Sequence, residues 1–158
     1  MQTASIRGVA LVVENPIGHI LILQEFQNKP HLGKWAGMFS IPMETSLSDE
    51  SDDCALDRLR REEIGGFSLP LPGKLVGRYQ IVDGVWVTCY STRTNSCALP
   101  TIASEADEVG NYRWSPPDQS CRLWLRRGAI EMIRHHIAGR CCVVCNDCVP
   151  PREPVCCR

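Results

Sequence analysis

Glu62 and Glu63 stand side by side at the end of the run Cys54-Ala-Leu-Asp-Arg-Leu-Arg-Arg-Glu-Glu. On a helix, neighbouring residues lie about 100° apart around the axis, so both carboxylates can reach one edge. Two adjacent carboxylates repel unless solvent or a cation neutralises them, and hard cations such as Mg²⁺ or Mn²⁺ take oxygen ligands. Glu50 lies eight positions before Arg58. An Arg–carboxylate pair at that separation ties a helix to the loop that leads into it. Taken alone, Glu62-Glu63 could equally be a solvated helix edge. Trp35, Tyr79, Trp86 and Trp114 offer faces on which a base could stack, although aromatics at strand positions more often fill a core.

These side chains need elements to hold them. Residues 51–64 (SDDCALDRLRREEI) predict a helix, with Ser51 as cap, Asp52 and Asp53 in the first turn and Gly65-Gly66 as its stop. Residues 4–13 and 19–25 predict a hairpin around Asn15-Pro16-Ile17-Gly18, and residues 74–82 and 85–93 a second one around Asp83-Gly84. Residues 27–45, with Pro30, Gly33, Trp35, Gly37, Phe39 and Pro42, read as a structured loop carrying aromatic anchors. Residues 109–114 predict a short strand. Residues 121–138 predict a final amphipathic helix, with Leu123, Ala129, Ile130, Ile133 and Ile137 inward and Arg126, Arg127 and Arg134 toward solvent. Trp124 then packs within that helix. His135-His136 suit its C-terminal end better than a metal pair. This order predicts an α/β (α+β) sandwich, a mixed β-sheet flanked by helices.

The stretch 33–66 resembles the Nudix box, G-x5-E-x7-R-E-U-x-E-E-x-G-U, where U is bulky and apolar. Glu50, Arg58, Glu62, Glu63 and Gly65 fall on its register without a gap, and Trp35 with Ile41-Pro42 is similar to its W-x-L-P-G-G lead-in. Glu44 and Met43 replace two glycines, Leu59 replaces the glutamate after the arginine, and Arg60 and Gly66 occupy the apolar positions. The resemblance implies a Nudix-like hydrolase that cleaves a nucleoside diphosphate linked to another moiety, with Mg²⁺ or Mn²⁺ as cofactor. It implies Glu62 and Glu63 as metal ligands, Glu63 as a catalytic group, and Glu50–Arg58 as a structural ion pair. Family members often take a further carboxylate from a loop after the central strands. Residues 104–108 (SEADE) supply Glu105 and Glu108 as candidate catalytic groups, and Glu44 is a further candidate because it enters the same region. Trp35 and Glu44 are the candidate substrate-binding residues.

The whole chain bounds these readings. Its 158 residues suit one domain, with 44% apolar and 22% charged residues. A net charge of −1 gives no basic field for nucleic acid. No apolar run is long enough for a membrane span, no signal peptide is read, and the body suits a cytoplasmic protein. The expected partner is a small nucleotide derivative, and a homodimer is compatible with the sequence. Of ten cysteines, six fall between Cys141 and Cys157. The division expected is a domain over 1–139 and a Cys-rich extension over 140–158. Cys142-x2-Cys145-x2-Cys148 has zinc-like spacing, with Cys156 or Cys157 as fourth ligand, but an unstructured, oxidation-prone extension is the preferred reading. Two competing functions remain: a Nudix-fold module that binds a nucleotide or partner without hydrolysis, and a zinc- or redox-responsive protein acting through its tail.

Overall fold

Residues 9–13 (VALVV) are apolar at every position, as a strand covered on both faces requires. They form the middle of β1 (Ile6–Glu14), and all five are fully buried. The computed structural model describes residues 5–65, 68–101 and 108–144, without the side chains of 140–144. After β1 the chain forms β2 (Ile20–Glu25), a 3₁₀ turn (Pro30–Leu32), β3 (Phe39–Ser40), β4 (Met43–Thr45) and α1 (Asp52–Glu63). It continues through β5 (Lys74–Val82), β6 (Val85–Arg93), β7 (Val109–Ser115), α2 (Pro117–Ser120) and α3 (Ala129–Val144).

The seven strands make one mixed sheet. Its path runs β3-β2-β1-β6-β5, with β4 on β1 and β7 on β2. β1 and β6 are parallel from Ile6↔Val85 to Glu14↔Arg93, while β5 and β6 form an antiparallel hairpin across Asp83-Gly84. Alternation along β1 builds two cores. Ala10 and Val12 pack with Ile81, Val87, Met132 and Ile133 beneath α3. Val9, Leu11 and Val13 pack with Ala55, Leu56 and Leu59 beneath α1. The result is the expected α/β sandwich, a mixed sheet with a helix on each face. None of the described helices is long and apolar enough to cross a membrane.

The final helix differs from expectation. It begins at Ala129, not at residue 121, and runs to Val144. Residues 124–126 instead extend β3: the Phe39 amide donates to the Trp124 carbonyl and the Arg126 amide to the Phe39 carbonyl, at 2.8 and 2.7 Å. Gly128 then takes a φ of +89°, a left-handed conformation that ends this segment and starts the helix afresh. Trp124 lies outside the helix and is 58% exposed. Arg126, assigned to solvent by periodicity, is only 5% exposed.

Candidate functional site

Ser51 accepts a hydrogen bond from the Cys54 amide at 3.2 Å and sets the start of α1. Its buried stripe then runs Ala55, Leu56, Leu59, Glu63. Glu63 follows Leu59 by four residues, so one stripe carries the apolar anchor and the carboxylate. Leu59 is fully buried and Glu63 is 8% exposed. Glu62 lies on the next stripe, with Arg58, and its side chain is 54% exposed. The adjacent glutamates therefore occupy different environments, one at the core edge and one at the rim.

Arg58 joins three segments. Its Nε and Nη2 donate to the two Glu50 carboxylate oxygens at 3.2 and 2.8 Å. Nη2 also donates to the Thr45 carbonyl at 2.7 Å, and Nη1 lies 3.0 Å from Glu44 and 3.8 Å from Glu62. The Arg58 guanidinium holds the Glu50 carboxyl below its ordinary range. Burial raises that of Glu44 despite Arg58 beside it. Glu44 sits on β4 opposite Val9, and a Cβ at Gly8 would come within 2.7 Å of the Glu44 carbonyl oxygen. Only glycine at position 8 lets the two strands approach this closely.

Beneath these groups lies a buried set that sequence patterning missed. Lys34 Nζ is 3.4 Å from Glu25 Oε2, and Arg126 Nη1 is 3.7 Å from Glu25 Oε1. Arg126 Nη2 donates to the Leu32 carbonyl at 2.7 Å, while its buried Nε has no hydrogen-bond partner among the described residues. Glu63 Oε2 is likewise buried without a partner. Burial pushes the Glu63 carboxyl well above its ordinary range, and Glu44 and Glu25 push it further. Lys34 and Arg126 oppose them. The Tyr112 hydroxyl donates to the Glu63 carbonyl and pins the helix end.

Glu44, Glu63, Lys34, Arg126, Lys29, Glu108 and Arg7 line one cleft of about 70 Å³. Glu108 is at its mouth, 3.2 Å from Lys29. Glu105 lies outside the described residues. Trp35 is 47% exposed, so it does not anchor the loop as expected, and it does not line the cleft. The local sequence signal for Lys34, Glu25 and Arg126 is weak, because their proximity exists only after the sheet forms. Among the described residues, no three His, Cys, Asp or Glu are placed to hold a metal ion unaided. The tail cysteines proposed for zinc lie largely outside those residues.

No protein-family model matches the chain, and no curated protein matches it. Solved structures do. The Nudix domain of Shewanella oneidensis NrtR, solved with ADP ribose, superposes with a TM-score of 0.69 at 14% identity over 87% of this chain and 90% of that one. A MutT protein from Methanosarcina mazei gives 0.67 at 18% identity, over 89% and 99%. An Ap4A hydrolase from C. elegans gives 0.61 at 15% identity, over 86% and 98%. At such identities the likeness concerns architecture, and the chain has the Nudix fold.

Proposed function

We propose that this chain is a divalent-metal-dependent hydrolase of a phosphoanhydride, acting on a nucleoside diphosphate linked to another group. One observation carries the reading. The cleft places Glu44 and the Glu63 carboxylate, whose Oε2 has no hydrogen-bond partner among the described residues, beside Lys34 and Arg126. Carboxylates suit a cation, and ammonium and guanidinium groups suit the phosphate oxygens that accompany it. ADP ribose, bound in one structural neighbour, and Ap4A, from which another takes its name as a hydrolase, are nucleoside polyphosphate derivatives and support the same class.

The donor set fits a hard cation. Glu63 and Glu44 would hold Mg²⁺ or Mn²⁺, with Glu62 at the rim. Two carboxylates with water and ligand phosphates are a usual shell for Mg²⁺, so a complete protein cage is not required. When bound, the cation polarises phosphorus and makes water more acidic. Lys34 and Arg126 orient the phosphate oxygens, and Glu25 holds both cations in place. Glu63 Oε2, whose proton affinity is raised by burial, accepts the proton of the attacking water. Glu108 and Glu105 are the remaining candidates for that role.

Leu59 favours a second reading. The family pattern has a carboxylate there, and this chain seals the position into the core. The same fold would then bind a nucleotide without cleaving it. A panel of dNTPs, ADP-ribose, nucleotide sugars and dinucleoside polyphosphates with Mg²⁺ or Mn²⁺ separates the two. Turnover by the wild type and its loss in Glu63→Gln supports the hydrolase. Well-folded protein that turns over none of them while binding one selects the binding module.

A further inference from the structure

The cleft is smaller than the roughly 300 Å³ at which sites for whole small molecules begin. It has room for phosphate and cation, so the rest of a nucleotide must lie beyond it. One recess adjoins it through two shared residues, Arg7 and Gly8, and has a volume of about 300 Å³. Arg78, Trp86, Thr88 and Asp52 complete its lining.

The register places these side chains together. Arg7 pairs with Trp86 across β1 and β6, and Arg78 pairs with Thr88 across β5 and β6. Paired residues share a face, and so do residues two apart on one strand. Arg7, Arg78, Trp86 and Thr88 therefore project from the same side of the sheet. α1 packs over β1 on that side, so the β5–β6 part beyond it lies open. The Arg78 guanidinium lies over the Trp86 indole, 4.9 Å from the ring centroid. Stacking orients the planar fork and leaves its N–H edge for an anion. Neither Arg7 nor Arg78 has a carboxylate partner among the described residues. The nearest acid in the lining, Asp52, accepts a hydrogen bond from the Tyr90 hydroxyl at 2.7 Å.

We propose that this recess is a second anion subsite, which takes a phosphoryl group of the ligand lying outside the anhydride. The preferred ligands are then nucleotide derivatives bearing an additional phosphate, with Arg7 at the junction of cleft and recess. The proposal rests on the reading of the cleft as a phosphate site. It concerns binding, so it can be tested apart from hydrolysis.

The probes are AMP and adenosine 3′,5′- and 2′,5′-bisphosphate, which contain no anhydride and so cannot be hydrolysed there. Calorimetric titration of the full chain should show one bisphosphate binding about tenfold tighter than AMP, the gain expected of a charge-assisted hydrogen bond to phosphate. The variant Arg78→Gln, at a residue of the recess alone, should lose that advantage while its AMP affinity stays within about threefold of wild type. Arg78 is exposed, so the variant should fold, and Arg78→Lys should recover only part of the preference. Equal affinities in the wild type, an advantage that survives Arg78→Gln, or no binding of any probe overturns the proposal. Loss of all turnover on the nucleotide panel beside an arginine-dependent bisphosphate preference overturns the hydrolase and leaves the subsite standing.

Discussion

Glu63 is buried because Leu59, one turn earlier, fixes which stripe of α1 faces the sheet. A carboxyl placed there titrates at a higher pH than in the unfolded chain, through burial first and then through Glu44 and Glu25. The direction sets the pH dependence. A raised carboxyl favours the folded state while protonated, and that contribution is lost as pH climbs from about 4.5 through the raised value. Glu63→Gln removes the ionisation. It should melt on the order of 2–4 °C above the wild type at pH 8, the shift that about 1 kcal/mol produces in a chain of this size. The gain should vanish near pH 4, where both proteins are uncharged at this position. Thermal scans at the two pH values check this, and a variant less stable than wild type at pH 8 would show that Glu63 is already compensated. Millimolar Mg²⁺ or Mn²⁺ should raise the melting temperature of the wild type at pH 8 and leave the Gln variant unmoved.

α1 owes its position to Arg58 at the rim and to Leu56 and Leu59 beneath it, and these two supports explain why an obvious repair would fail. Leu59→Glu restores the carboxylate of the family pattern. The side chain it replaces is fully buried against Val9, Leu11, Val13 and Leu21. The variant should lose the ~2–5 kcal/mol of a deleted core leucine, with the cost of burying a carboxylate on top, and should gain no activity. Denaturant melts and the nucleotide panel decide it; a stable, faster enzyme would mean that position 59 reaches the cleft. What the sequence made legible has the same local origin. The cap at Ser51, the apolar run of β1 and the Asp83-Gly84 turn are all set by neighbours in the chain, and each appears where it was expected, whereas the shared edge expected for Glu62 and Glu63 is divided between core and rim. The segment before α3 was misread because its apolar spacing imitates a helix, whereas pairing with β3 and the left-handed Gly128 are settled by distant contacts.

At the scale of the molecule, the cleft belongs to no single element. Glu44 comes from β4, Glu63 from α1, Lys34 from the loop between β2 and β3, and Arg126 from the segment before α3, while Glu25 on β2 pairs with the last two. The Nudix-like stretch announced Glu44 and Glu63, and the acidic run 104–108 announced Glu108 at the mouth, because each packs carboxylates at close spacing. Lys34, Glu25 and Arg126 stayed hidden, since nothing near Arg126 in the chain marks it as a buried partner of Glu25. The extension offers a simple check on organisation: cutting after Val144 keeps all of α3 and should leave melting temperature and turnover unchanged, while retained zinc in the full chain alone would give the tail a metal role. The buried charges offer a sharper one. Glu25 is held between Lys34 and Arg126, and Arg126 also opposes the charge of Glu63. Removing one partner of a buried ion pair commonly costs about 3–5 kcal/mol, because the other charge remains without compensation. Arg126→Met should therefore be strongly destabilised at pH 8, and less so near pH 4, where Glu63, whose carboxyl is raised by burial, carries its proton. Glu25→Gln in the same chain removes the stranded charge, so the double variant should lose clearly less than the two single losses added together. Denaturant melts of the four proteins at both pH values complete the cycle. Additive losses would reduce Arg126 to a packing residue, whereas coupling between the two sites identifies it as the counter-charge on which the Glu25 carboxylate depends.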